Sequence, residues 1–214
     1  MTVGGFWRSN TLTLILLIMI NLAIMTFGQT AWILLGILCL LGAGWLTFKQ
    51  GMAAGHEACA VRSTVDTVAA EGGFGETKQD RKYAAQAWSA STGLKGMLLS
   101  ALIPYAFGCL HIICTLLNVE PLILPTRIAA WVMSLPWWCV VLHWQPTFDH
   151  LTALSAAVLM ITPFLLPLCG YVGYMQGPKL WSHTEEAMKQ GRRRAKARSR
   201  VAKKRAPKVR GPEI

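Results

Sequence analysis

The sequence predicts an all-α membrane protein: a bundle of about four transmembrane helices with a Trp-rich interfacial or re-entrant external segment and a basic cytosolic tail. Three observations carry that expectation. Of the 214 residues, 53% are hydrophobic and only 14% charged, against roughly a quarter charged in an average soluble domain. The apolar residues gather into long runs separated by short polar stretches, without the spacing of about 2 or 3.6 residues that a half-buried element in water shows. The formal net charge of +11 is also localised, since 13 of the 21 Lys and Arg follow Tyr174. Lipid is therefore the solvent for most of the chain, and the basicity belongs to a tail instead of a folded nucleic-acid-binding face.

The first two spans are residues 10–27 and 31–48. Each holds about 18 residues, enough at about 1.5 Å per residue to cross most of a hydrocarbon core about 30 Å thick. The joining Gly28, Gln29 and Thr30 allow only an antiparallel hairpin, with Gly28 suited to a left-handed C-cap and Thr30 placed as the N-cap of the second helix. The run 12–27 is longer than a signal-peptide core and no A-x-A-like site follows it, so it reads as a retained span.

Residues 49–93 form a loop of balanced charge. Its proline-free first part, residues 49–70, is expected to prolong the second helix to near Gly72 and Gly73, and a short helix over about residues 80–91 leads back to the bilayer. The third span is residues 94–118, with Pro104 in its first half. The last is residues 151–175, where Pro163 and Pro167 each free a carbonyl that Thr162 or a neighbouring helix would satisfy. Between them lies the external segment, residues 119–150. It contains Trp131, Trp137, Trp138 and Trp144, and tryptophan prefers the membrane interface. Residues 1–178 thus make a transmembrane helical domain, and residues 179–214 a basic tail, disordered or partly helical.

Lys and Arg near short loops set orientation. Four spans with both termini cytosolic place 20 basic residues inside and only Arg127 outside, whereas counting the Trp-rich segment as a fifth span leaves 14 inside and 7 outside. The four-span arrangement is expected, in the cell membrane.

Candidate chemistry is sparse. The spans carry no Asp, Glu, Lys or Arg in their central portions, which argues against a proton-coupled pump. His111 has Cys114 at i+3, but Cys109 points elsewhere, so one helix supplies an incomplete metal site and an interhelical hydrogen bond is the simpler reading. His143, Asp149 and His150 match no metal motif, and His56-Glu57 lacks the second His of a zincin helix. Gly72-Gly73-Phe74-Gly75 lacks the Gly-Lys-Ser/Thr of a phosphate loop. The six cysteines lie mostly in apolar runs, without disulfide-framework spacing. No catalytic residue, metal or cofactor is assigned, and no enzyme is expected. Small-xxx-small spacing recurs at Gly51 to Gly55 and at Gly173 to Gly177, where helix backbones could approach closely, with an intramolecular contact favoured over dimerisation.

The strongest local signal is the tail. Residues 189–210 hold 12 Lys or Arg and no acid, with Glu185 placed to pair with Lys189. Lys189, Arg192, Arg193, Arg194, Lys196, Arg198, Arg200, Lys203, Lys204 and Arg205 are the candidate contacts to anionic lipid headgroups or to phosphate. No aromatic follows Trp181, so a nucleic acid would be held by its backbone and without sequence preference. The expected role is a non-enzymatic scaffold, accessory or regulatory subunit, partnered by the lipid bilayer and another membrane protein. The alternative is a transporter or channel component whose Pro-kinked last span lines a cavity.

Overall fold

The computed structural model describes residues 3–70, 84–141 and 153–205. Among them are five α-helices and no strand: α1 (Val3–Met25), α2 (Gln29–Ala70), α3 (Ala90–Leu116), α4 (Glu120–Val141) and α5 (Ala153–Arg205). Four of these, all but α4, contain a stretch of 18 residues apolar enough to cross a membrane, within Arg8–Met25, Thr30–Ala70, Ala90–Leu116 and Ala156–Lys196. The all-helical class and the four spanning-length helices expected from the sequence are therefore present, an arrangement compatible with a multi-pass membrane protein.

Local chemistry explains where the helices turn. Gly28 has φ 101°, and its carbonyl accepts the first hydrogen bond of α2 from Trp32 N at 2.9 Å. It thus closes α1 and caps α2 at once. Thr30, expected as the N-cap, lies inside the first turn, because the hairpin is tighter than three linking residues would require. At the end of α3, Asn118 takes φ 51°, and the Val119 and Asn118 N–H groups bond back to the carbonyls of Cys114 and Thr115, a Schellman closure with Asn in the left-handed position. α3 itself begins at Ala90, earlier than expected, because the Ser89 hydroxyl accepts from Thr92 N at 3.1 Å. The short helix expected over residues 80–91 does not extend across residues 85–88, which form a turn. There the Trp88 N–H is diverted to the Ala58 carbonyl of α2, at 3.0 Å.

Cross-helix contacts set the directions. Asn10 Nδ2 of α1 donates to Ser100 Oγ of α3 at 3.3 Å. Gly93 and Gly108 of α3 lie against Tyr174 and Leu159 of α5, so these two helices are antiparallel. Along α2, Gly44, Gly51 and Gly55 meet Cys169, Gly170 and Tyr174 in order, so α2 and α5 run parallel. α4 folds back along α3, bringing Thr126 to His111 and Met133 and Trp137 to Pro104 and Ser100. One end of the bundle, the hairpin end, carries the α1–α2 and α3–α4 turns and the starts of both α4 and α5. At the other, the extension end, α2 and α5 continue past their apolar segments.

The core joins Leu17 and Ile18 of α1, Trp32 and Leu40 of α2, Leu135 of α4, and Val158 and Leu166 of α5. Within the Trp-rich segment, Glu120–Val141 is thus a helix set into the bundle, with Leu135 at 0% exposure. Pro121, in its first turn, lacks only an N–H that would have had no partner there. Polarity is inverted relative to a protein in water. Asn10, Asn21, Thr47, Ser100, His111 and Thr162 are buried, while leucines and isoleucines cover the outside. Asn21, fully buried, ties the first hairpin together: its Nδ2 donates to the Leu17 carbonyl and its Oδ1 accepts from Trp32 Nε1 at 3.2 Å. An apolar surface of this extent would be an aggregation hazard in water, and it suits lipid.

Candidate functional site

The most constrained part of the molecule is where α2 and α5 cross at the extension end. A Cβ on Gly51 would coincide with the Gly170 carbonyl, one on Gly173 with the Phe48 carbonyl, and one on Gly177 with Gly55. The two small-xxx-small stretches of the sequence are therefore each other's partners within one chain. Pro178 has no N–H to offer the Tyr174 carbonyl, and that freed carbonyl abuts Gly55. Only glycine leaves room for it there.

Tyr174 anchors a third element on this crossing. Its ring packs on Gly93 and stacks with Trp88, with centroids 6.3 Å apart and planes 14° apart, and its hydroxyl accepts from Ser89 N at 3.4 Å. With the Trp88 bond to Ala58, these contacts pin the start of α3 to both long helices.

Beyond the crossing, α2 and α5 continue side by side. His56 Nε2 lies 3.3 Å from Thr184 Oγ1 and packs edge-on against Trp181. A groove of about 530 Å³ opens next to them, lined by Cys59, Arg62, Asp66, Trp88, Trp181 and Glu185 among others. Burial pushes the Cys59 thiol above its ordinary value, an effect the nearby Arg62 charge partly offsets. A protonated thiol is a poor nucleophile. Arg62 and Asp66 form a long, exposed pair at 3.9 Å, so the groove presents charges of both signs.

The basic residues lie on the same helix. Glu185 and Lys189 pair at 2.7 Å, as their i,i+4 spacing predicts. Arg192, Arg193, Arg194 and Lys196 are exposed, and the helical backbone continues through Arg198, Arg200, Lys203, Lys204 and Arg205. At about 1.5 Å per residue, the stretch from Met175 to Arg205 spans about 45 Å.

The other candidates fall elsewhere. His111 is buried with Nδ1 3.5 Å from Thr126 Oγ1, the interhelical contact expected of it, and Cys114 is buried one turn on. His143, Asp149 and His150 lie outside the described residues. Thr162 does not satisfy a carbonyl freed by proline: it donates to Val158 at 2.7 Å, whereas Pro163 frees Leu159. The Leu159 carbonyl lies against Gly108 instead. Sequence reasoning missed the cluster of Tyr174, Trp88 and Gly93, although Tyr174 sits inside a recognised glycine run. Comparison with protein-family models, with curated proteins and with solved structures finds no match for this chain.

Proposed function

We propose that this chain is a non-enzymatic membrane scaffold or accessory subunit that holds a basic helix off the membrane to engage a phosphate-bearing polyanion, with nucleic acid the partner of choice. One observation carries the reading: α5 runs from the bundle core, through the glycine crossing, to Arg205 as a single helix. Charges attract an anionic bilayer only within a Debye length of about 8 Å at physiological ionic strength. A helix that stands away from the bundle puts most of its Lys and Arg beyond that reach, and a polyanion in solution can come to them.

The matching topology has four spans and both termini in the cytosol of a cell-membrane protein. In this reading α4 is a re-entrant helix, supported by α4 and α5 both starting at the hairpin end. The charge distribution of 20 basic residues against one agrees with this orientation. The alternative, a transporter component, draws no support from Pro163 and Pro167 themselves, since the cavity they line with Asn10, Ser100 and Thr162 is about 20 Å³, room for about one water.

The test uses the full chain in zwitterionic nanodiscs. Single-stranded RNA of arbitrary sequence should bind and be released steeply by salt, and replacing Arg192, Arg193 and Arg194 with Gln should lower the slope of log K against log salt by about 2, at about 0.7 for each phosphate no longer neutralised. Absence of binding, or binding that disappears once anionic lipid is added to the disc, would overturn the proposal. Topology is tested separately in a cysteine-free background. Cysteines at Asp66 and Lys196 should label from one side and those at Phe27 and Asn118 from the other.

A further inference from the structure

On the hairpin side of the glycine crossing, α2 and α5 separate around a groove of about 730 Å³, within the range of about 300–1,000 Å³ that ligand sites occupy. Its lining is apolar throughout, including Leu41, Trp45 and Phe48 of α2, Cys169 and Val172 of α5, and Trp137 of α4. Gly44 adds no side chain to the hollow, and a Cβ there would touch only Cys169 Sγ, at 3.8 Å. Leu41 and Trp45 are 67% and 61% exposed, so the groove opens outward along the helices. At its crossing end, Gly51 and Gly170 close it by backbone contact.

Beside the groove, against one of its lining side chains, sits a cation. Trp45 stacks on Phe48 at 5.8 Å, and Lys49 Nζ sits 4.7 Å from the centre of the Trp45 ring. Among the described residues no carboxylate pairs with Lys49. Lys49 is also the first charged residue after the apolar run of α2, at the level where lipid headgroups would lie. An apolar trough, open to the side and flanked by an aromatic-supported cation, is complementary to an acyl chain attached to an anionic head.

We propose that this groove binds one anionic phospholipid, with an acyl chain along Gly44 and the headgroup phosphate on Lys49. Entry from the bilayer needs no passage through water, and Trp137 limits how far the chain reaches toward the bundle interior. The site depends on α2 and α5 being membrane spans. It does not depend on the basic tail.

The test counts lipid retained by the full-length protein. The protein is reconstituted into liposomes of equal phosphatidylglycerol and phosphatidylcholine with the same acyl chains, re-extracted in mild detergent, and analysed by native mass spectrometry. The wild type should retain phosphatidylglycerol several-fold over phosphatidylcholine. Lys49→Gln should remove the preference while still retaining lipid. Gly44→Leu and Val172→Trp, which fill the groove from opposite walls, should each lose both lipids at an unchanged thermal transition. Arg192, Arg193 and Arg194 replaced together by Gln should retain lipid as the wild type does. Equal retention of the two lipids by the wild type, or undiminished phosphatidylglycerol in both groove-filled variants, would overturn the proposal. Loss confined to the tail variant would overturn it too, by making the lipid a counterion of the tail. Failure of the membrane reading would look different: the protein would not float with the liposomes at all.

Discussion

At the crossing of α2 and α5, backbone meets backbone; around Leu135, side chain meets side chain. Gly51 and Gly173 face carbonyl groups of the opposing helix with no space for even a methyl group. Leu135 is equally buried, but it is surrounded by Leu17, Leu40 and Leu166, side chains that can shift. The difference matters because lipid does not reward the burial of leucine as water does. Helices in a bilayer associate through close packing and hydrogen bonds. A rigid backbone contact therefore has a narrower tolerance than an aliphatic cluster, although the cluster looks more like the core of a soluble protein.

Substitutions in the two regions test this contrast. The largest effect is expected from Gly173→Leu, which must drive α5 off the Phe48 carbonyl and should also release Trp88 from Tyr174. Overpacking ordinarily costs about 1–3 kcal/mol and sometimes more, and this site, where the obstacle is main chain, should exceed about 3 kcal/mol. Unfolding by denaturing detergent in mixed micelles measures it. Leu135→Ala should follow at roughly 2–3 kcal/mol, toward the low end for a buried leucine because lipid replaces water as the competing environment. If Leu135→Ala proved the more damaging of the two, the contrast between the regions would be wrong.

Smaller effects probe the polar contacts and the open positions. A double-mutant cycle on Asn21 and Trp32, which share a 3.2 Å hydrogen bond, should return a coupling of about 0.6 kcal/mol, the average for such bonds within a membrane. Gly42, where a Cβ would meet nothing within 4 Å, should accept Ala with a small gain, at most about 0.5–1 kcal/mol from helix propensity. The least effect is expected from Cys59. Its thiol is held above the ordinary value of 9.0 by burial, so the folded state is favoured while the thiol is neutral. That contribution is lost as pH rises past the ordinary value, and Cys59→Ser should flatten the pH dependence of stability there.

Much of the architecture was legible in the residues. Four apolar runs of spanning length appear as four helices because run length and composition are local properties. The Gly28 turn was legible for the same reason: glycine alone enters φ 101° without strain. The Thr30 cap and the helix over residues 80–91 were misjudged because each depended on a bond the local sequence does not announce. Trp32 N reached Gly28, and Trp88 N reached Ala58.

Glycine spacing identified Gly51, Gly55, Gly173 and Gly177 as surfaces of close approach, and charge spacing identified the Glu185–Lys189 pair. Neither pattern names its partner across the fold. A small residue states how near another helix can come, without saying which helix, because the attraction it permits is the same for any backbone that fits. The helical runs, the turn at Gly28 and the basic charge of the stretch after Trp181 thus follow from local sequence, whereas the continuation of that stretch as one helix with the last span does not. Packing between distant segments is what makes α2 and α5 run parallel and touch, lets Tyr174 fill the space left by Gly93, and brings Leu135 of the Trp-rich helix into the centre. Those outcomes rest on the fit between surfaces far apart in the chain, and shape complementarity exists only once both surfaces have formed.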